Sequence, residues 1–266
     1  MSEEKAPGRV VGKVENGVAE LLFDNEARRN AISVAMSRQA ADLLAGFAAD
    51  PDVRLLVVRG AGEASFISGA DISEFEKVRK DAEAAALHTH FSSRMYTAVR
   101  EFPKPTIARI RGFCFGGGMG LAAACDLRVA SDDALFSIPA ARLGIAYRPD
   151  FIAWLNEMIG PARLKEMLIT ARRYPADEAM AMGLVQRVVP VAGFDAFFSE
   201  YIATIADNAP LATAASKIIV NEVADSMRHV DMDKCRAISD RCADSADFQE
   251  GRRAFMEKRR PVFRGR

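Results

Sequence analysis

Four short apolar runs punctuate the first half of the chain: Val18 to Phe23 (VAELLF), Val53 to Val58 (VRLLVV), Thr106 to Ile110 (TIARI) and Leu127 to Ala130. Each is rich in Val, Ile and Leu, is bounded by Gly, Pro or Asp, and is too short to be a stable helix, so each reads as a strand. Helical patterns lie between them: Ser33 to Ala48, which opens on a capping serine, and Asp81 to Glu101. Strands alternating with helices call for a sheet covered by helices, an α/β architecture. After about Pro149 helical patterns take over, in Phe151 to Ile159, Pro161 to Thr170, Pro175 to Met182, Phe194 to Asp207 and Pro210 to Asp225, while Asp231 to Lys258 reads as two more helices. Pro161 and Pro210 stand where proline starts a helix well. The expectation is an α/β half followed by a helical half, and 266 residues suit one large domain or a core with a small appendage.

Composition removes several classes of function. Lys+Arg and Asp+Glu both number 36, so a globally basic nucleic-acid binder is not expected. Nowhere do about 18 apolar residues run together, so no membrane span is expected. The opening MSEEKAPGRV is polar and lacks a signal-type apolar stretch, which points to a cytoplasmic protein. Cys114, Cys125, Cys235 and Cys242 form no CxxC pair, and only three histidines are present, two of them His88 and His90. No metal site is expected, and the cysteines read as reduced thiols.

Two segments carry chemistry. Phe66-Ile-Ser-Gly-Ala-Asp-Ile-Ser-Glu74 follows the strand VRLLVV, and its small residues allow backbone N–H groups to face a ligand at a helix start. Arg111-Gly-Phe-Cys-Phe-Gly-Gly-Gly-Met-Gly-Leu-Ala-Ala-Ala-Cys-Asp126 follows TIARI. Its glycine triplet, Gly116 to Gly118, serves either a tight strand-to-helix turn or a ligand pressed on bare backbone. Gly118-Met-Gly120-Leu-Ala-Ala123 formally fits a dinucleotide fingerprint, but it starts several residues past the strand, no acidic partner follows at the expected distance, and no GK[ST] follows the glycines.

Together, FISGADISE and GFCFGGGMGLAAACDLRVAS resemble the two signature segments of the crotonase (enoyl-CoA hydratase/isomerase) superfamily. The likeness extends to ARRNAIS (Ala27 to Ser33), FSIPAARLGI (Phe136 to Ile145), ITARRYPADEAMAMGLVQRVV (Ile169 to Val189) and FQEGRRAFMEKRRP, in family order. The resemblance implies a spiral of ββα repeats over residues 1–205 and a helical trimerisation region over 206–266, assembling as a homotrimer or a dimer of trimers. It implies an acyl-CoA substrate, with coenzyme A entering as part of the substrate and no permanently bound cofactor. It also implies an oxyanion hole made by the backbone N–H groups of Ala70 and Gly117. Asp71 and Ile72, with Ala70, would hold the adenine, Arg28 would lie along the CoA path, and Lys258 would meet the CoA phosphates from a neighbouring subunit, with Arg259 and Arg260 able to share that role.

Where relatives that hydrate enoyl-CoA usually carry one glutamate, this chain has Gly120, and where a proline–glutamate pair is usual it has Pro139-Ala140. Neither residue titrates, so standard two-glutamate hydration is not expected. Tyr147, Arg148 and Asp150 in LGIAYRPD should line the acyl end of the pocket. Methylmalonyl-CoA decarboxylases of the family carry a tyrosine in a similar context, and loss of CO₂ generates the enolate without a base. In that alternative Tyr147 orients the substrate carboxylate, and Arg148 or Arg142 pairs with it. The competing readings are plain: Tyr147 as pocket wall, Arg148 as a surface residue, Asp150 as a helix N-cap or a displaced acid–base group, and the whole chain as a non-catalytic acyl-CoA binder.

Overall fold

The computed structural model describes residues 7–71, 74, 82–143, 146–225, 237, 241, 245–257 and 259–266. Strands β1 (Arg9–Glu15) and β2 (Val18–Asp24) form an antiparallel hairpin. The sheet then continues in parallel through β3 (Leu55–Gly60), β5 (Thr106–Ile110), β7 (Leu127–Ser131) and β10 (Arg187–Val189), six strands in all. A smaller sheet holds β4 (Ser65–Ile67), β6 (Phe113–Phe115) and β8 (Leu135–Ser137) in parallel, with β9 (Tyr174–Pro175) antiparallel at its end.

The chain therefore winds as a spiral. The pairs β3–β4, β5–β6 and β7–β8 each lay one strand in the large sheet and the next in the small sheet before a helix follows. The helices are α1 (Val34–Ala49), α2 (Ala82–Arg100), α3 (Gly117–Ala124), α4 (Pro149–Thr170), α5 (Ala176–Ala181), α6 (Phe194–Ala206), α7 (Pro210–Asp225) and α8 (Ala246–Glu257). The Ser33 side chain accepts from the Met36 amide at 3.2 Å, capping α1 as its sequence suggests.

Burial explains the sequence pattern. In β2 the residues alternate, and Ala19, Leu21 and Phe23 are fully buried, as for a strand with one face inward. In β3 nearly every side chain is buried, because both faces are covered. Leu56 and Val58 join the main core with α1, whereas Leu55 and Val57 pack with Ile107, Val129, Phe194 and Phe198 beneath α6.

Helices dominate beyond Pro149 as expected, and two short strands lie among them. Strands β9 and β10 both lie beyond Pro149, and Val188 pairs with Ala130 to extend the large sheet. The two helices expected around residue 160 are both present: the span labelled α4 is two helices that meet at Gly160, whose φ 75°, ψ 165° is not helical, with Pro161 opening the second. The basic C-terminal tail is not free in solvent. Arg54 donates to the carbonyls of Ala206 (2.9 Å) and Phe263 (2.7 Å), and the Asp247 carboxylate accepts from the Arg264 and Gly265 amides, both at 2.6 Å. Among the described residues, no helix is long and apolar enough to cross a membrane.

Helix α3 is fastened at its far end by Arg128, which is 3% exposed. Its guanidinium donates to the carbonyls of Leu184 (2.7 Å), Ala122 (3.1 Å), Cys125 (2.7 Å) and Asp126 (3.2 Å). Burial pushes its pKa down to about 10, yet it remains charged at neutral pH and complements the negative end of the helix. Arg128→Met keeps the bulk but strips four carbonyls, three of them buried, of this donor. We expect a loss of about 3 kcal/mol, read as a melting temperature lower by roughly 6–12 °C.

Candidate active site

The small sheet delivers the two glycine-rich segments side by side. Strands β4 and β6 pair at Ser65–Phe113 and Ile67–Cys114, with a shift of register between the two pairs. Ala70 and Gly117 each lie three residues beyond the second of these pairs. An isolated parallel bridge ties Ala70 to Ile32: the Ile32 amide donates to the Gly69 carbonyl, and the Asp71 amide to the Ile32 carbonyl, both at 2.9 Å. Those bonds use the groups flanking Ala70, so its own N–H points the other way. Gly117 is the first residue of α3, whose leading amides have no partner within the helix. Among the described residues neither amide donates to a protein acceptor. A Cβ on Gly117 would stand 3.4 Å from the Ala70 nitrogen, and one on Gly69 would stand 3.8 Å from the Gly117 nitrogen. The two N–H groups thus border one small space.

Gly116 enters α3 at φ 51°, ψ −112°, a conformation open to glycine. Its carbonyl accepts from the Tyr147 hydroxyl at 2.8 Å and from the Gly120 amide at 3.2 Å. The Gly117 carbonyl accepts from the Tyr96 hydroxyl at 3.2 Å. Burial raises the pKa of both phenols well above the ordinary tyrosine range, so both are protonated donors.

The space beside Gly120 is filled. A Cβ there would stand 2.5 Å from Cε2 of Phe151. Phe151 anchors an aromatic cluster, edge-on to Tyr96 at 4.5 Å and tilted against Tyr147 (5.4 Å) and Trp154 (5.6 Å). The Arg148 guanidinium lies over the Phe151 and Tyr96 rings at 4.7 and 5.5 Å. It grips Asp150 through two bonds, 3.1 and 2.6 Å, and reaches the Ser93 hydroxyl at 3.1 Å. Arg148 is therefore a half-buried member of this wall rather than a free surface residue.

The N-cap expectation for Asp150 is corrected. Pro149 occupies the start of α4, where its fixed φ suits the helix and its missing N–H is no loss, so Arg148 is the cap residue. Asp150 sits in the first turn and accepts from the Phe151 amide at 3.0 Å. Partial burial opposes its ionisation, but the Arg148 hydrogen bonds and charge, with the Phe151 amide, outweigh it and hold the carboxyl below its usual pKa. Asp150 is thus an ionised, paired carboxylate at neutral pH.

Ala70, Gly117, Tyr147, Arg148 and Asp150 accordingly converge. Arg28 and Asp71 also meet, as an ion pair in which the aspartate is buried and the arginine half exposed. Ile72 and Lys258 lie outside the described residues, as does the His88 side chain. His90 is exposed and edge-on to Phe91. Arg142 is exposed on the turn Pro139–Leu143, where Ala140 is buried. Arg259 is engaged by Glu250 (2.7 Å) and Glu257 (2.5 Å), and Arg260 by Asp207. Sequence reasoning did not single out Tyr96 or Phe151. Both sit at apolar positions of amphipathic helices and are buried in the main core, so the pattern alone does not mark them out.

This architecture, a ββα spiral that sets the Ala70 amide beside the head of α3, both amides unengaged among the described residues, with helices at its C-terminal end, defines a crotonase-type protein. Residues 13–266 match the profile of the family described as enoyl-CoA hydratase/isomerase, and the chain belongs to that family. It is 34% identical over 256 residues to a carnitinyl-CoA dehydratase of Proteus mirabilis, covering 94% of this chain and 95% of that protein. It is 33% identical over 257 residues to the protein of the same name from Escherichia coli K12, at the same coverage. A crystal structure of an enoyl-CoA hydratase/carnithine racemase from Magnetospirillum magneticum superposes with a TM-score of 0.91 at 32% identity, over 98% of this chain and 97% of that one.

Proposed function

We propose that this protein is an acyl-CoA lyase that works through a thioester enolate. The thioester oxygen sits between the Ala70 and Gly117 amides, which meet the negative charge as it develops. The observation that carries this reading is the pair of unengaged N–H groups bordering one space. Preorganised donors of this kind are each typically worth about 10²–10³ in rate. Coenzyme A arrives with the substrate, passing the Arg28–Asp71 pair, with Ile72 at the adenine and Lys258 at the phosphates. Residues 206–266 form the assembly region of a homotrimer or a dimer of trimers.

The similarity to carnitinyl-CoA dehydratases favours addition or elimination of water as the lyase reaction. In that case Asp150, drawn from its pair with Arg148, is a carboxylate beside the aromatic wall that can act as the acid–base group. A second reading, decarboxylation of a malonyl-type thioester, is favoured by Phe151, whose ring takes the space a side chain at position 120 would need. A wall of phenols and a neutralised Arg148–Asp150 pair suits a substrate that brings its own carboxylate, since like charges within one pocket repel.

The test is a mass-spectrometric screen of the purified protein against carnitinyl-CoA, crotonyl-CoA, methylmalonyl-CoA and longer enoyl- and malonyl-type thioesters. Hydration or dehydration is the expected outcome of the first reading, and CO₂ release that of the second. Tight binding with turnover of none would overturn the enzyme assignment in favour of a non-catalytic acyl-CoA binder.

A further inference from the structure

The peptide that joins Gly116 to Gly117 carries two groups of opposite use. Its N–H, on Gly117, is one of the two donors proposed to face the thioester oxygen. Its C=O, on Gly116, points the opposite way across the same rigid plane. A rotation of this single peptide about its flanking bonds would turn the carbonyl, a negative dipole end, toward the space where the oxygen must sit. Gly116 is a residue at which such rotation is sterically open: it lacks a Cβ and already stands at φ 51°, ψ −112°.

The hydroxyl of Tyr147 donates to that carbonyl at 2.8 Å. The Gly120 amide also donates to it, at 3.2 Å, but that bond belongs to the opening turn of α3 and is long. Tyr147 is half-buried and its ring is braced by Phe151 at 5.4 Å, so its hydroxyl is held in place. We infer that Tyr147 is a positioning residue that locks the Gly116–Gly117 peptide with its N–H toward the substrate and, by hydrogen-bonding its carbonyl, strengthens that N–H as a donor. The strengthening follows because hydrogen bonds in a chain polarise one another through the shared peptide group, by roughly 10–30% per bond. Burial keeps the phenol protonated, and hence donating, over the range in which the protein is handled. Tyr96 does the same for the next peptide, whose carbonyl is that of Gly117, and so holds the plane that follows. This assignment rests on the oxyanion reading above. It gives Tyr147 a role in every reaction the site runs, independent of whether the substrate brings a carboxylate.

The test uses butyryl-CoA labelled with ¹³C at the thioester carbonyl, a probe that has no double bond to hydrate and no carboxyl to lose. Isotope-edited infrared difference spectra report how strongly the bound carbonyl is polarised. In the intact protein the bound band lies below that of the free probe. In Tyr147→Phe it moves back toward the free position, while affinity for free coenzyme A stays within about twofold. Turnover of the substrate identified by the thioester screen falls roughly tenfold in kcat with KM little changed, short of the 10²–10³ typical when such a donor is removed outright. No displacement of the band in the intact protein would overturn the oxyanion reading itself. A displaced band that Tyr147→Phe leaves unmoved would overturn the lock and spare that reading. Should Tyr147→Phe fail to fold, 3,5-difluorotyrosine at position 147 keeps the shape and makes a stronger donor. The band must then move further down; a band that stays put sinks the proposal.

Discussion

Gly117→Pro is expected to reduce kcat/KM by about 10²–10³ while leaving the fold and the affinity for free coenzyme A intact. Gly117 is the first residue of α3, the one helical position where proline's fixed φ fits and its absent N–H breaks no helical bond. The preceding residue is Gly116, which has no Cβ to clash with the proline ring. The substitution therefore replaces the outward N–H with the proline ring, whose Cβ meets the Tyr96 hydroxyl as an alanine Cβ would, and breaks no hydrogen bond within the helix. Gly117→Ala is the companion. Its added Cβ would stand 2.8 Å from the Tyr96 hydroxyl, which must give way, but the N–H survives. Steady-state kinetics on both variants separate crowding from loss of the donor. A proline variant no slower than the alanine variant would show that this amide does not meet the developing charge.

Gly118→Ala is expected to act on stability instead. A Cβ there would stand 2.2 Å from the Ile67 carbonyl oxygen and 3.0 Å from its carbon. These are backbone atoms of β4, held by pairing to β6, so they cannot swing aside as a side-chain end would. Either α3 lifts from the sheet or the β4 strand is displaced. Overpacking of this kind costs about 3 kcal/mol or more, which corresponds to a melting temperature lower by roughly 6–12 °C. Differential scanning calorimetry would show it, and an unchanged melting temperature would mean that α3 has slack the structure does not display. The glycine triplet thus divides its work: Gly116 turns the chain, Gly117 presents the amide, and Gly118 lets the helix lie on the sheet.

Much of this architecture was legible in the residues. Buried strands reveal themselves by continuous apolar runs, and TIARI begins and ends where β5 does. Helices with proline or serine at their starts, such as α1 and α7, were equally plain. The small sheet was not. Its strands have two or three residues each, too few to show a period, and they lie inside segments whose glycines attract attention as ligand loops. Strand β10 was hidden for a similar reason: RVV is brief, and its partner β7 lies some sixty residues back in the chain. The pocket wall was half legible. Tyr147, Arg148 and Asp150 could be singled out from one short segment, but their bonds to Gly116, to Ser93 and to one another depend on tertiary contacts that no spacing encodes. Phe151 reads as the first apolar residue of a helix, and only the fold brings its ring against Gly120.

The parallel pairing of β4 with β6 fixes a dimension as well as a neighbourhood. Adjacent strands lie about 4.8 Å apart, and Ala70 and Gly117 each stand three residues past a register pair. Two nitrogens separated by that distance reach a shared oxygen at about 2.9 Å each when the angle at the oxygen is about 110°, close to the angle between lone pairs on an oxyanion. The gauge of the proposed hole is set by backbone placement, which the bridge to Ile32 fixes at Ala70 and the head of α3 fixes at Gly117, and not by the side chains around it. Acyl-chain preference and reaction type can drift through positions such as 120, 147 and 151 while the distance that receives the charge stays the same.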